Sequence, residues 1–181
     1  MEKYAYIGKD MKRIDTSLKA TGGAFFAADL SFPHLLVGKI LRSPYPHARI
    51  LNIDTSKAEN LPGVKAVVTA RDTCGDKWGV FRYTQDQQFL PTEKVRYVGE
   101  EVAAVAAVDE DTALEALALI EVQYEVLPAV FTIEEAMAPG VAQLHEVYPG
   151  NINIHVHIEV GDLEKGFSES FLVREDTFSA P

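Results

Sequence analysis

A chain of 181 residues has room for one full-sized domain and a small appendage, and at 47% hydrophobic and 24% charged residues it has the make-up of a soluble globular protein. The formal net charge of -10 argues against nucleic acid or an anionic membrane as partners, because both demand a basic surface. A single cysteine, Cys74, excludes an iron–sulfur centre, a structural zinc site or a disulfide framework within the chain. A core of this size needs no such staple.

The opening residues, "MEKYAYIGKDMKRID", contain no apolar h-region, so no secretory signal is read and a cytoplasmic location is expected. "TGGAFF" (21–26) lacks the preceding strand and third glycine of a phosphate cradle and is read as a turn. Leu35 to Leu41 and Arg49 to Asp54 read as strands. The "RSPYPH" between them carries two prolines, which forbid helix and force an extended corner. His34 and His47, each close to a proline, are expected as polar loop residues. Leu61-Pro62-Gly63 suits a type II turn leading into a strand from Val64 to Thr69. Residues 73–91 read as a long loop. There Cys74 is an ordinary loop thiol, and Trp78, Phe81 and Tyr83 offer a strand or an aromatic contact surface.

The stretch "YVGEEVAAVAAVDEDTALEALALI" (97–120) holds two apolar runs split by three acids. A spanning helix needs about 20 apolar residues, so the acids exclude a membrane segment. Val102, Val105 and Val108, with alanines between them, suit a buried strand; a short helix is the competing reading. After Asp109 the period changes, and Ala113, Leu114, Leu117 and Ile120 fall on one helical face. Asp109 or Asp111 can cap that helix, with Thr112 and Glu115 as a competing capping box. Asp109, Glu110 and Asp111 are therefore read as helix-start groups rather than as an acid–base pair.

A strand from Glu121 to Val126 follows. Thr132 with Glu135 reads as a capping box for a short helix through Met137, and Pro139-Gly140 as a second turn. Residues 1–150 read as one unit, and 151–181 as a C-terminal extension. In the extension, "NINIHVHIEV" alternates strictly: Ile152, Ile154, Val156, Ile158 and Val160 face one way, Asn151, Asn153, His155, His157 and Glu159 the other. Two histidines two apart on one strand face can both reach a metal, with Glu159 and His145 as conceivable further ligands. The competing reading is the polar face of a half-buried strand. No catalytic, cofactor-binding or metal-binding residue is assigned, since no G-x-G-x-x-G, Walker loop, G-x-S-x-G or H-E-x-x-H occurs.

Several segments together resemble the large, molybdenum-binding subunit of the xanthine dehydrogenase and aldehyde oxidase family. "KRIDTSLKATGGAFFAADL" resembles the family's entry pattern through Arg13, Asp15, Lys19, Thr21, Gly22 and Asp29, with Ala20 and Phe26 departing from it. "ILRSPYPHARILNIDTSKAENLPGVKAVVTARD", "KVRYVGEEVAAVAA", "IEVQYEVLPAV" and "GDLEKGFSES" follow in the family's order. Within the family the feel is nearest to 4-hydroxybenzoyl-CoA reductase.

The resemblance implies an α+β fold of α/β-hammerhead type, a mixed or antiparallel sheet packed by two or more helices. It implies a non-catalytic N-terminal domain, the pterin loops and the catalytic glutamate having no matching position here. The full enzyme would carry molybdopterin cytosine dinucleotide, iron–sulfur clusters and FAD. The partners would be the downstream molybdopterin domains and the iron–sulfur and FAD subunits. Alternatives from other classes are a free-standing acidic interaction module using residues 78–83, and a small metal-binding protein using His155 and His157.

Overall fold

The computed structural model describes residues 4–81 and 84–179. Tyr83, one of the three aromatics picked out above, lies outside the described residues. The chain forms two compact units, Met1–Asp76 with Phe89–Leu127, and Lys77–Gln88 with Pro128–Pro181.

In the first unit a short helix α1 (Thr16–Ala20) precedes β1 (Val37–Arg42), β2 (Ala48–Asp54), the one-turn helix α2 (Ser56–Glu59) and β3 (Val64–Thr69). The second unit contributes β4 (Lys77–Trp78) and β5 (Gln87–Gln88), a two-residue ladder within the expected long loop. The first unit then resumes with β6 (Lys94–Val95), β7 (Glu101–Ala107), α3 (Glu110–Leu119) and β8 (Glu121–Val126). Two antiparallel three-stranded sheets result, ordered β1-β7-β3 and β6-β2-β8.

Strand β7 explains the alanine-rich run. It is the central strand of its sheet, paired from Val37↔Ala107 on one side and from Val64↔Ala107 on the other; Ala103, Val105 and Ala107 are buried on one face, while on the other Val102 is buried and Ala104 and Ala106 are partly buried. Ala103, Val105 and Ala107 point into a cluster with Ala58, Ala113 and Ala116, whereas Val102 joins Ala48 and Val95 in a second cluster. Small side chains on strand and helix let α3 lie close against β7 and β1. Each fully buried valine contributes roughly 1.5–3 kcal/mol. Val108, read from the sequence as part of the strand, lies just beyond it and is half exposed, its N–H donating to Gly63 O at 3.0 Å.

At the acid cluster, Asp109 takes the cap. Its Oδ1 accepts from Thr112 N at 2.8 Å, its backbone is extended, and this hydrogen bonding holds its carboxyl below the usual range. Glu110 reaches Lys39 of β1 at 2.5 Å. The buried face of α3 is Ala113, Ala116 and Ile120, with Leu117 partly buried. Leu114, expected on that face, is half exposed: the inward stripe runs through Ala116, one step round the helix.

The Pro62-Gly63 turn closes through Val64 N to Leu61 O at 3.1 Å, with Gly63 at φ +99°. The Pro139-Gly140 turn closes through Val141 N to Ala138 O at 3.4 Å, with Gly140 at φ +78°. The second unit also holds α4 (Ile133–Ala136) and α5 (Leu163–Ser168). Thr132 caps α4 by accepting from Glu135 N at 3.1 Å, while the Glu135 side chain accepts from Phe131 N. The alternating segment after Asn151 forms no strand ladder. Residues 152–160 lie outside helix, turn and sheet, with the apolar row exposed rather than buried.

Candidate functional site

The polar focus of the first unit is a junction where the proline corner after β1 meets the tight turn before β7. Ser43 N donates to Glu100 O at 2.9 Å and Gly99 N donates to Ser43 O at 2.8 Å, so two backbone bonds clamp the loops together. Ser43 Oγ donates to Tyr45 O at 3.0 Å and accepts from Tyr45 N at 3.1 Å, which folds the corner on itself. Arg42 ties the same turn through Gly99 O at 2.7 Å and Glu101 at 2.6 Å. Gly99 stands at φ +93°, where a side chain would be strained.

Burial sets the electrostatics. Desolvation pushes the Glu100 carboxyl up, partly offset by the Arg96 N–H that it accepts. Desolvation acts upward on Glu101 as well, yet its own backbone N–H and Arg42 hold that group below its ordinary value. Tyr97 is pushed up by burial and then by the Glu101 and Glu100 carboxylates. Tyr124 of β8 is raised by burial, bonds Ser43, and meets the Tyr45 ring edge-on at 5.2 Å. The sequence marks Ser43 and Tyr45 only as part of a proline corner and Tyr124 as part of a strand. The Ser43–Glu100 contact continues the β1–β7 pairing past Arg42↔Glu101, and Tyr124 reaches the junction from the other sheet.

The arrangement can position loops and fix their shape. Two adjacent carboxylates with opposite shifts would suit acid–base work, but Glu101 is committed to Arg42 and Glu100 to the backbone of its own turn.

The other candidates are scattered. His47 lies in the corner just before β2, as expected of a loop residue, but it is buried, its carbonyl accepting from Leu127 N at 2.9 Å. His34 sits at φ +64° in an open groove beside Phe32, Leu35, Leu36, Lys65 and Val108. Cys74 and Phe81 are exposed, and Trp78 lies half exposed on β4.

In the second unit a cleft of about 90 Å³ is lined by Asp86, Leu144, His145, Tyr148, Asn151 and Asn153, with the His145 and Tyr148 rings 5.8 Å apart. His155 and His157 are exposed, and His157 Nε2 lies 3.5 Å from Glu159 Oε2. Among the described residues no group of three or more His, Cys, Asp or Glu is placed to hold a metal ion, and no helix is long and apolar enough to cross a membrane.

Two antiparallel sheets, a helix packed on the central strand of one, and a clamped polar junction define an α+β domain of hammerhead type. Residues 21–128 match the family described as aldehyde oxidase and xanthine dehydrogenase, a/b hammerhead domain, and the chain belongs to that family.

A probable xanthine dehydrogenase subunit of Bacillus subtilis (strain 168) is 44% identical over 170 residues, 93% of this chain and 22% of the relative. The nicotinate dehydrogenase large molybdopterin subunit of Eubacterium barkeri is 38% identical over 179 residues, 97% of this chain and 41% of the relative. Among solved structures, the Cu,Mo-CO dehydrogenase in its carbon monoxide reduced state superposes with a TM-score of 0.70 at 38% identity, covering 77% of this chain and 18% of that one. The aldehyde oxidoreductase of Desulfovibrio desulfuricans gives 0.72 at 32% identity, covering 78% and 17%. The chain thus matches a portion of such large subunits, spanning 22% and 41% of the length of these two curated relatives.

Proposed function

We propose that this chain serves as the non-catalytic hammerhead domain of the large subunit of a molybdenum hydroxylase, of the xanthine dehydrogenase, aldehyde oxidase or 4-hydroxybenzoyl-CoA reductase type. Residues 1–150 form the domain, and 151–181 are an extension leading toward molybdopterin-binding domains. Its role is to pack against those domains and an iron–sulfur partner, helping to wall the substrate channel. Molybdopterin cytosine dinucleotide, iron–sulfur clusters and FAD belong to the other parts of a cytoplasmic enzyme.

The observation that carries the reading is the match to a large molybdopterin subunit over 97% of this chain but 41% of that protein. The junction supports it, because its polar groups are spent on shaping loops rather than on a reacting centre.

The test is purification of the tagged chain from its native host, followed by elemental analysis and visible absorbance. Stoichiometric molybdenum, iron and flavin in the recovered assembly are expected. A chain recovered with no molybdenum- or iron-bearing polypeptide overturns the proposal.

A further inference from the structure

Residues 152–160 have the local character of a strand and lack a ladder. Gly150 at φ +65° and Asn151 at φ +58° break the backbone before them, and Gly161 at φ +77° breaks it after. Between these breaks the chain runs without helix, turn or bend, and Ile152 has extended backbone angles. The β-branched row Ile152, Ile154, Val156, Ile158 and Val160 is exposed by 46, 46, 65, 81 and 85%. His155, His157 and Glu159 form the opposite row. Alternation, β-branching and glycine bounds all favour a half-buried strand, and an exposed apolar row of this length marks a surface meant to be covered.

We infer that residues 152–160 are a donor strand, completing a sheet edge in the remainder of a large molybdenum-binding subunit, with the Ile/Val row on that body's core and the histidine row outward. The inference rests on the function proposed above.

Two observations select this occupant. Matches to relatives extend over 97% and 98% of this chain, and so include this segment, while the chain is only 41% and 24% of those relatives. The segment therefore lies in the part of the chain aligned with proteins whose greater part lies outside the match. A second copy is disfavoured, because two chains each carrying a formal charge of -10 repel.

Hydrogen exchange of residues 152–160, measured in the chain alone and in the assembled enzyme, tests the strand. Slowing by ~100-fold or more on assembly is expected. Ile154→Lys and Val156→Lys should each reduce incorporation of the chain into the assembly by roughly tenfold or more, whereas His155→Lys and His157→Lys should leave it unchanged. Equal effects from both rows, or an assembled enzyme in which 152–160 still exchanges freely, overturn the donor strand alone. Protection that appears in the isolated chain as its concentration rises assigns the strand to a second copy and overturns it too. If no molybdenum-bearing polypeptide assembles with the chain, the proposed function falls as well.

Discussion

Gly63 and Val108 are locked face to face: Val108 N donates to Gly63 O at 3.0 Å, and a Cβ placed on Gly63 would stand 3.0 Å from Val108 Cγ2. Thr112 of α3 closes the same space at 3.1 Å, and Gly63 itself sits at φ +99°. Gly63→Ala therefore meets both a backbone conformation that L-residues resist and a wall of β-branched side chains. A loss of about 1–3 kcal/mol is expected, read as a lower denaturation midpoint with an unchanged denaturant slope.

The cap of α3 makes stability acid-sensitive in a defined direction. Hydrogen bonding from Thr112 depresses the folded-state value of Asp109. Its contribution is present above the unfolded carboxylate value of ~3.9 and is lost as pH falls through the lower folded value. Asp109→Asn should keep most of the melting temperature at neutral pH, because the amide oxygen still accepts from Thr112 N, while Asp109→Ala should lower it. The gap between wild type and Asp109→Ala should shrink on acidification. A gap that widens in acid would contradict the assignment.

Glu100 has the opposite sign. Burial raises its folded-state value, so the protonated form is the better tolerated one in the folded chain. Its favourable contribution is fully present below the unfolded value of ~4.3 and is lost as pH rises through the raised folded value. Glu100→Gln mimics the neutral acid and can still accept from Arg96 N. It should melt higher than wild type at pH 7 and no higher at pH 4. Thermal melts at the two pH values check this.

The helix face gives a third contrast, and it shows where sequence reading stops. Ala116 is fully buried against the β7 cluster, so Ala116→Leu should overpack it and cost about 1–3 kcal/mol. Leu114→Ala removes a half-exposed side chain and should cost less than ~1 kcal/mol. A 3.6-residue period identifies α3 but admits two adjacent stripes, and the larger leucine draws the reading to the wrong one. Strand β7 was legible because a central place between two strands and under a helix selects small and β-branched residues, a pattern carried by the residues themselves. The burial of His47 was not legible, since it follows from Ala48 pairing with both Val95 and Val126. The Ser43–Glu100 junction was hidden for the same reason, being backbone contact between loops far apart in the chain. Family membership was legible in full, because it rests on ordered motifs and not on geometry.

Asn151 gives the sharpest departure from its sequence reading and the last prediction. The alternating pattern places it on the polar row with His155 and His157. In the structure it stands at φ +58° and turns back into its own unit. Its Oδ1 accepts from Leu144 N at 2.8 Å, and its Nδ2 donates to Ala136 O at 2.9 Å and to Ala142 O at 3.0 Å. One side chain thus satisfies three backbone groups of the 136–144 loop, and asparagine is among the few residues that accept a left-handed backbone. Asn151→Asp keeps the acceptor but sets a carboxylate against two carbonyl oxygens, leaving both without their donor. Asn151→Gly relieves the backbone but removes all three bonds. Asn151→Asp should therefore be the more damaging, at about 2–4 kcal/mol for two lost bonds plus repulsion, and Asn151→Gly should cost about 1–3 kcal/mol. In both variants the Leu144 amide should exchange faster and residues 136–151 should become the first site of limited proteolysis, while the amides of β7 in the first unit keep their protection. Equal protection of Leu144 in wild type and Asn151→Gly would show that the loop is held by something other than this side chain.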